Sequence, residues 1–205
     1  MKQSDFDDSV QYYAGHYDVI ARFLFVADRK FRIKDHSSEA TRRCRFCVRG
    51  VPEVTFKHVA HAVPEFIGNR DILSMNECDE CNSFLAHNYE DHLGNWSHLA
   101  RITAQVRGKN GKPTFKRKDG SMRIDAGAEG LRIALSDPKF TSDMFPKDGP
   151  FSLTFPAAGT ASKLYVPIRA TMALVKVVCS ICPADQLQEC QPAMDWLMRR
   201  ESDDS

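Results

Sequence analysis

Four cysteines arranged as two C-x2-C pairs constrain the fold of this chain more than any other feature. Cys44 and Cys47 form the first pair, and Cys78 and Cys81 form the second, with 30 residues between the pairs. A C-x2-C turn lets two thiolates reach one ion, and two such turns complete the tetrahedral S4 site that Zn2+ prefers. Because protein ligands fill all four positions, we predict a structural zinc that stabilises a small fold.

The rest of the sequence favours a globular protein of a reducing compartment. The chain has 205 residues, of which 42% are hydrophobic and 27% charged. Its first residues are polar and acidic and lack the apolar segment of an export signal. Its longest apolar run, residues 173–182, is interrupted by Lys176 and is too short to span a bilayer, so no membrane partner is expected. Seven cysteines in such a chain indicate a cytoplasmic location and metal ligation in preference to disulfides.

A third C-x2-C pair, Cys179 and Cys182, lies inside an apolar helical pattern. Even with Cys190 it offers only three thiols, so we interpret these cysteines as small core residues. A redox dithiol is the alternative, although no surrounding βαβ pattern supports it.

The segment between the two cysteine pairs contains a histidine motif. Two residues separate His61 from Pro64-Glu65, Gly68-Asn69 follows, and Asn82 comes directly after Cys81 of the second pair. In this order the elements C-x2-C, H-x2-P-E, G-N and C-x2-C-N resemble the HNH endonuclease family. The resemblance covers about residues 44–92, and residues 164–198 are weakly similar to the tails that follow such modules.

The resemblance implies a site and a reaction. His61 corresponds to the family's general base, which takes a proton from the water that attacks a phosphodiester. Asn82 corresponds to a residue that binds one divalent ion, Mg2+ or a similar metal, which stabilises charge on phosphorus and on the leaving oxygen. The family's usual products carry 5′-phosphate and 3′-hydroxyl ends. Such modules often occur in restriction, mobile-element or anti-phage systems.

Ala60 departs from the family pattern, because many members have an acidic or histidine metal ligand at the position before the base. Alanine cannot bind a metal. The residues available as substitutes are polar side chains before and after the base, namely His58, Glu65, His87, Glu90 and Asp91. His87 with Glu90 or Asp91 would share one face of a helix.

Basic residues are concentrated in two blocks, although the formal net charge is only +1. Residues 29–49 and residues 101–123 each contain eight lysines and arginines. Such blocks are typical of surfaces that hold a nucleic-acid backbone, and solvated faces are the simpler alternative. The predicted contacts to nucleic acid, DNA by preference, are the basic residues nearest the motif: Arg42, Arg43, Arg45 and Lys57.

These patterns together predict an α+β fold with a zinc-stabilised ββα-metal core. We expect an N-terminal extension (1–35), the nuclease module (36–103), a basic glycine-spaced segment (104–150), and a C-terminal helical unit (151–205). The basic segment is either a small antiparallel β insertion or a mobile basic arm. Strands are predicted at 54–56 and 72–73. A helix is predicted from Asn82 to about Ile102 with a break at Gly94, and another from Pro167 to Cys182.

Two alternatives to an autonomous nuclease remain open from the sequence. The first is a non-catalytic zinc-finger-like module that binds nucleic acid or protein, which Ala60 favours. The second is a nuclease effector that needs an activator. For individual residues, His61 is alternatively a hydrogen-bonded structural histidine, and Asn82 is alternatively the cap of its helix.

Overall fold

The computed structural model describes residues 11–12, 15–16, 30–117, 120–127, 130–136 and 164–199. Most of the predicted N-terminal extension, and residues 137–163 around the predicted boundary between the basic segment and the C-terminal unit, lie outside these residues. The described helices and strands confirm the α+β class. Among the described residues, no helix combines the length and apolar character needed to cross a membrane.

The first sheet contains three short strands, β1 (Phe31–Ile33), β2 (Ala60–His61) and β3 (Ile72–Ser74). Strand β3 lies in the centre, parallel to β1 and antiparallel to β2. The prediction of β3 is confirmed, whereas β1 was not predicted. The antiparallel pair β2–β3 and the helix that follows it make up the ββα unit.

The prediction of a strand at residues 54–56 is wrong. Val54 is buried in the core, and its N–H donates to the Gly50 carbonyl of a turn. The carbonyl of Thr55 accepts from the Asp79 N–H at the start of the next helix, 2.9 Å away, so it makes no strand pairing. The β-prone side chains are therefore used for packing under a loop.

A helical stretch follows the second cysteine pair in four parts: α1 (Asp79–Leu85), a π-helical turn (Ala86–Glu90), α2 (Asp91–Trp96) and α3 (His98–Thr103). It begins at Asp79, earlier than predicted, because Cys78 is the N-cap and its sulfur accepts from the Cys81 N–H. The break falls at Ser97, whose hydroxyl donates to the Leu93 carbonyl at 2.7 Å, and not at Gly94.

The basic segment forms a second, antiparallel sheet of β4 (Phe115–Lys116), β5 (Met122–Gly127) and β6 (Gly130–Leu135). Phe115, Met122 and Ile124 pack with Ile102 of α3 in a small separate core. Of the two alternatives for the basic segment, the described residues therefore form the antiparallel β insertion.

The C-terminal unit consists of α4 (Pro167–Ile181) and α5 (Gln191–Met198). Pro167 begins α4 as predicted. Pro192 lies in the first turn of α5, where its missing N–H costs no helical bond, so it begins that helix and does not interrupt it. Both helices share one core with the cysteine pairs and with α1 and α2, formed among others by Cys44, Cys78, Cys81, Leu85, Leu93, Ala170, Ala173, Met194 and Leu197.

Candidate active site and metal centre

The four cysteines of the two pairs come together in the structure. Their sulfur atoms all lie within 4.8 Å of one another. Cys44, Cys78 and Cys81 are buried, and Cys47 is half-buried. We refer to these residues as the four-cysteine cluster.

Local backbone geometry explains how each pair reaches the centre. In the first pair, a tight turn runs from the Cys44 carbonyl to the Val48 N–H at 2.9 Å, with Val48 in the left-handed region at φ 62°. In the second pair, the start of α1 directs two sulfurs inward. The N–H of Cys78 donates to the Cys44 sulfur at 3.5 Å, and the N–H of Cys81 donates to the Cys78 sulfur at 3.4 Å.

The thiols of the cluster influence one another strongly. A hydrogen bond to Cys78 raises the pKa of Cys44 to about 12, and hydrogen bonds from Cys44 and Cys81 lower the pKa of Cys78 to about 2. Hydrogen bonding to Cys44 and Cys78 raises the pKa of Cys81. Four sulfur donors in this arrangement fit a Zn2+ ion, which would allow all four to ionise.

A cleft on one side of the ββα unit contains His61, Asn82 and Glu90. Its volume is about 750 Å3. The cleft is also lined by Glu65 and Asp91, by Arg101, and by the turn that precedes β4, residues 108–113. We call it the His61 cleft. The three polar residues that sequence reasoning placed at the site thus share one surface.

Hydrogen bonds around the loops hold His61 at the end of β2. Asn69 closes the loop from β2 to β3, since its side-chain amide donates to the Val63 carbonyl at 2.6 Å and its oxygen accepts from the Ile72 N–H at 2.9 Å. Before β2, the Asp79 carboxylate accepts from the N–H groups of Lys57 and His58 at 3.0 and 2.8 Å. The Gly68-Asn69 element therefore orders the loop that follows His61, and Asp79 orders the segment that precedes β2.

The ring of His61 is half-buried in the cleft wall. A backbone carbonyl was expected to fix its tautomer, but within the described parts of the chain its ring makes no hydrogen bond.

The π-helical turn explains why Glu90 lies in the cleft with Asn82. In an α-helix of about 3.6 residues per turn, the residue two turns after Asn82 would be Tyr89. The π turn takes up one additional residue, so Glu90 comes to the Asn82 face. Tyr89 instead points into the core, where its hydroxyl donates to the Leu197 carbonyl at 2.6 Å.

The five residues considered as the metal ligand that Ala60 cannot provide divide into two groups. His58 and His87 are exposed and do not line the cleft, and His87 lies 3.7 Å from Asp91. Glu65, Glu90 and Asp91 do line it. Ala60 itself is only 1% exposed in β2. Asn82 is not the helix cap, since Cys78 occupies that position.

Two of the four predicted nucleic-acid contacts are buried. Arg45 donates to both oxygens of Asp35 at 2.6 Å and to three carbonyls at the end of α4, with only 2% of its side chain exposed. Arg42 stacks over Phe56 at 4.2 Å and pairs with Glu39. These two arginines are structural, so their prediction as phosphate contacts is at odds with the structure. Arg43 and Lys57 are exposed.

Sequence reasoning missed the basic wall of the cleft, which consists of Arg101, Lys109 and Lys112. Arg101 lies 5.0 Å above the Phe66 ring and donates to the Gly94 carbonyl at 2.8 Å. Lys109 is exposed on the turn closed by two hydrogen bonds between Gly108 and Gly111. The second basic block, residues 101–123, contains all three residues, but the sequence did not show where that block lies relative to His61.

Comparison with known proteins supports the family resemblance. Residues 44–97 match a family model described as HNH endonuclease. The matched segment begins at the first cysteine of the cluster and ends just after α2. No curated protein and no solved structure matches the chain.

Proposed function

Since residues 44–97 match the HNH endonuclease family, we propose that this chain is a metal-dependent endonuclease that hydrolyses phosphodiester bonds of nucleic acid, preferentially DNA. The observation that carries this proposal is the presence of His61, Asn82 and Glu90 in one cleft. A base and two oxygen-bearing side chains are the groups that such a hydrolysis needs.

His61 is the general base in this proposal. Its ring faces the cleft from the end of β2 and would accept a proton from a water molecule positioned beside the scissile phosphate. Its position depends on the loop that Asn69 closes and on the approach that Asp79 orders.

Asn82 and Glu90 are the proposed ligands of a Mg2+ or similar ion, because hard divalent cations prefer amide and carboxylate oxygens. Bound there, the ion would stabilise the negative charge that develops on phosphorus and on the leaving oxygen. Glu90 thereby substitutes for the ligand that Ala60 lacks. Zinc in the four-cysteine cluster has a separate, structural role, because its four ligands leave no open position.

Arg101 and Lys109 are the proposed contacts to the nucleic-acid backbone. They line the cleft and carry positive charge, so they would contact the phosphate backbone and position the strand independently of its sequence. Seven free thiols suit a reducing, cytoplasmic environment.

The test is cleavage of supercoiled plasmid by the full chain in Mg2+ or Mn2+, with EDTA as the blank. We expect nicked or linear product from the wild-type protein and none from His61→Ala with unchanged zinc content. His58→Ala is the matched control, because His58 is exposed outside the cleft, and it should cut normally. Zinc-loaded protein that binds plasmid equally with and without EDTA, and never cuts it, would instead identify a non-catalytic binding module.

A further inference from the structure

Lys176 is the least expected buried residue in the structure. It lies in α4 between the buried residues Ala173 and Cys179, and only 1% of its surface is exposed. Burying an ammonium group is costly unless the charge is paired. Lys176 also lies outside the segment that matches the nuclease family, so nothing in that resemblance explains it.

Three oxygen atoms surround the Lys176 ammonium. Nζ donates to the His61 backbone carbonyl at 2.9 Å. The Glu90 carboxylate approaches Nζ at 3.0 Å through Oε1, and Glu77 approaches at 3.3 Å through Oε2. The contact to the carbonyl is a hydrogen bond and the two carboxylates are ion-pair contacts, with neither oxygen of the buried Glu77 carboxylate hydrogen-bonded. Lys176 therefore contacts both the residue that carries the base and one proposed metal ligand.

Glu77 completes the arrangement from the zinc side. Its side chain is fully buried, directly before Cys78, and among the described residues Lys176 is its only ion-pair partner. The ammonium is accordingly the charged centre of a network that joins the four-cysteine cluster, β2, the π turn and α4.

We propose that Lys176 is a positioning residue of the active site, holding Glu90 and the His61 backbone in the arrangement that binds the divalent ion. This inference rests on the proposed function. By contacting Oε1, the ammonium orients the carboxylate and leaves Oε2 for a ligand in the cleft. The helix α4, although outside the family segment, is consequently part of the catalytic module.

Energetics distinguishes this role from simple stabilisation. Replacing a buried ion pair by apolar or neutral residues of similar volume is often neutral or stabilising. A charged network at this position is thus poorly explained by stability alone. Groups that orient metal ligands, in contrast, typically matter roughly 10- to 100-fold for metal affinity or activity.

The test uses two variants of the full chain. Glu77→Gln/Lys176→Met removes the fully buried pair together and leaves Glu90, with 18% of its side chain exposed, without its counter-charge, so folding is checked directly. Glu90→Gln changes only a carboxylate that lines the cleft and has 18% of its side chain exposed, which makes it a fold-safe second variant. Zinc content and thermal unfolding verify folding. Mn2+ binding is measured by electron paramagnetic resonance, and plasmid cleavage is measured at saturating plasmid.

Both variants should bind Mn2+ at least about 10-fold more weakly than the wild type and cleave plasmid at least about 10-fold more slowly. Both should retain zinc. Combining all three substitutions should weaken Mn2+ binding no more than Glu90→Gln alone, because Lys176 acts through Glu90. Wild-type Mn2+ affinity in the Glu77→Gln/Lys176→Met protein would overturn the inference while leaving the nuclease proposal intact. Wild-type affinity in Glu90→Gln would remove Glu90 from the proposed ligands and would overturn the inference with it. A wild-type protein that neither binds Mn2+ nor cuts would refute the proposed function itself.

Discussion

Replacing Arg45 with methionine should destabilise the fold without weakening nucleic-acid binding. Arg45 stands inside the first cysteine pair, yet its guanidinium points inward. It pairs with Asp35 through two 2.6 Å contacts and donates to the carbonyls of Cys179, Ser180 and Cys182 at 2.8–3.0 Å. It therefore connects the zinc knuckle to the end of α4.

The magnitude follows from what the substitution leaves behind. Methionine keeps much of the volume but leaves Asp35, with 15% of its side chain exposed, without its counter-charge. Removing one partner of a buried ion pair typically costs about 3–5 kcal/mol. In a protein of this size, each kcal/mol lowers the unfolding midpoint by roughly 2–4 °C, so we expect a fall of about 6–20 °C.

The assay is thermal and urea unfolding of zinc-loaded protein, with Arg49→Met as the matched control. Arg49 lies two residues after Cys47 and pairs with Glu80 at 2.6 Å, but that pair is exposed. Exposed pairs contribute little, so the control should unfold close to the wild type. Adding Asp35→Asn to Arg45→Met should recover part of the loss, because it removes the unpaired charge.

An Arg45→Met protein with wild-type stability and weakened plasmid binding would refute this reasoning. It would return Arg45 to the role of phosphate contact that the charge pattern suggested.

Three further predictions concern the core and the cluster. Tyr89→Phe removes the buried hydrogen bond to the Leu197 carbonyl and should lower the free energy of unfolding by about 1–2 kcal/mol in urea titrations, whereas an unchanged value would mean that the bond contributes nothing. Val48→Gly relieves a β-branched residue at φ 62° and should raise stability by about 1 kcal/mol in the same titrations, while a loss would contradict the strained turn. Metal analysis should find no zinc in Cys81→Ser and full zinc in Cys190→Ser, and acid should release zinc from the wild type because protons compete for thiolates. Loss of zinc from Cys190→Ser would contradict the assignment of the four ligands.

The four-cysteine cluster was accessible from the sequence because it depends on local spacing, and the ββα unit was accessible because the H-x2-P element resembles the HNH endonuclease family. Two C-x2-C turns define their own geometry within a few residues. The first strand of the ββα unit, predicted at 54–56, nevertheless lies at residues 60–61. The position of β3 followed from its apolar residues, and the start of α4 followed from Pro167.

The features that could not be predicted from the sequence depend on contacts between residues far apart in the chain. The charge of Arg45 suggested a surface, but Asp35 and the end of α4 gave it buried partners. The displacement of Glu90 to the Asn82 face depends on a π turn, which has no pattern in the sequence. Lys176 interrupted an apolar run, which was a signal of a paired buried charge, but its partners lie 86 or more residues away in the chain.

The most direct test of the central claim is rescue of the His61→Ala protein by imidazole. Plasmid cleavage in Mg2+ or Mn2+ should be lost in this variant and should return in proportion to added imidazole, with no effect of imidazole on the wild type. Such rescue would identify His61 as the base of a nuclease. Cleavage that survives in His61→Ala without imidazole would contradict the account, because the base would then be another residue.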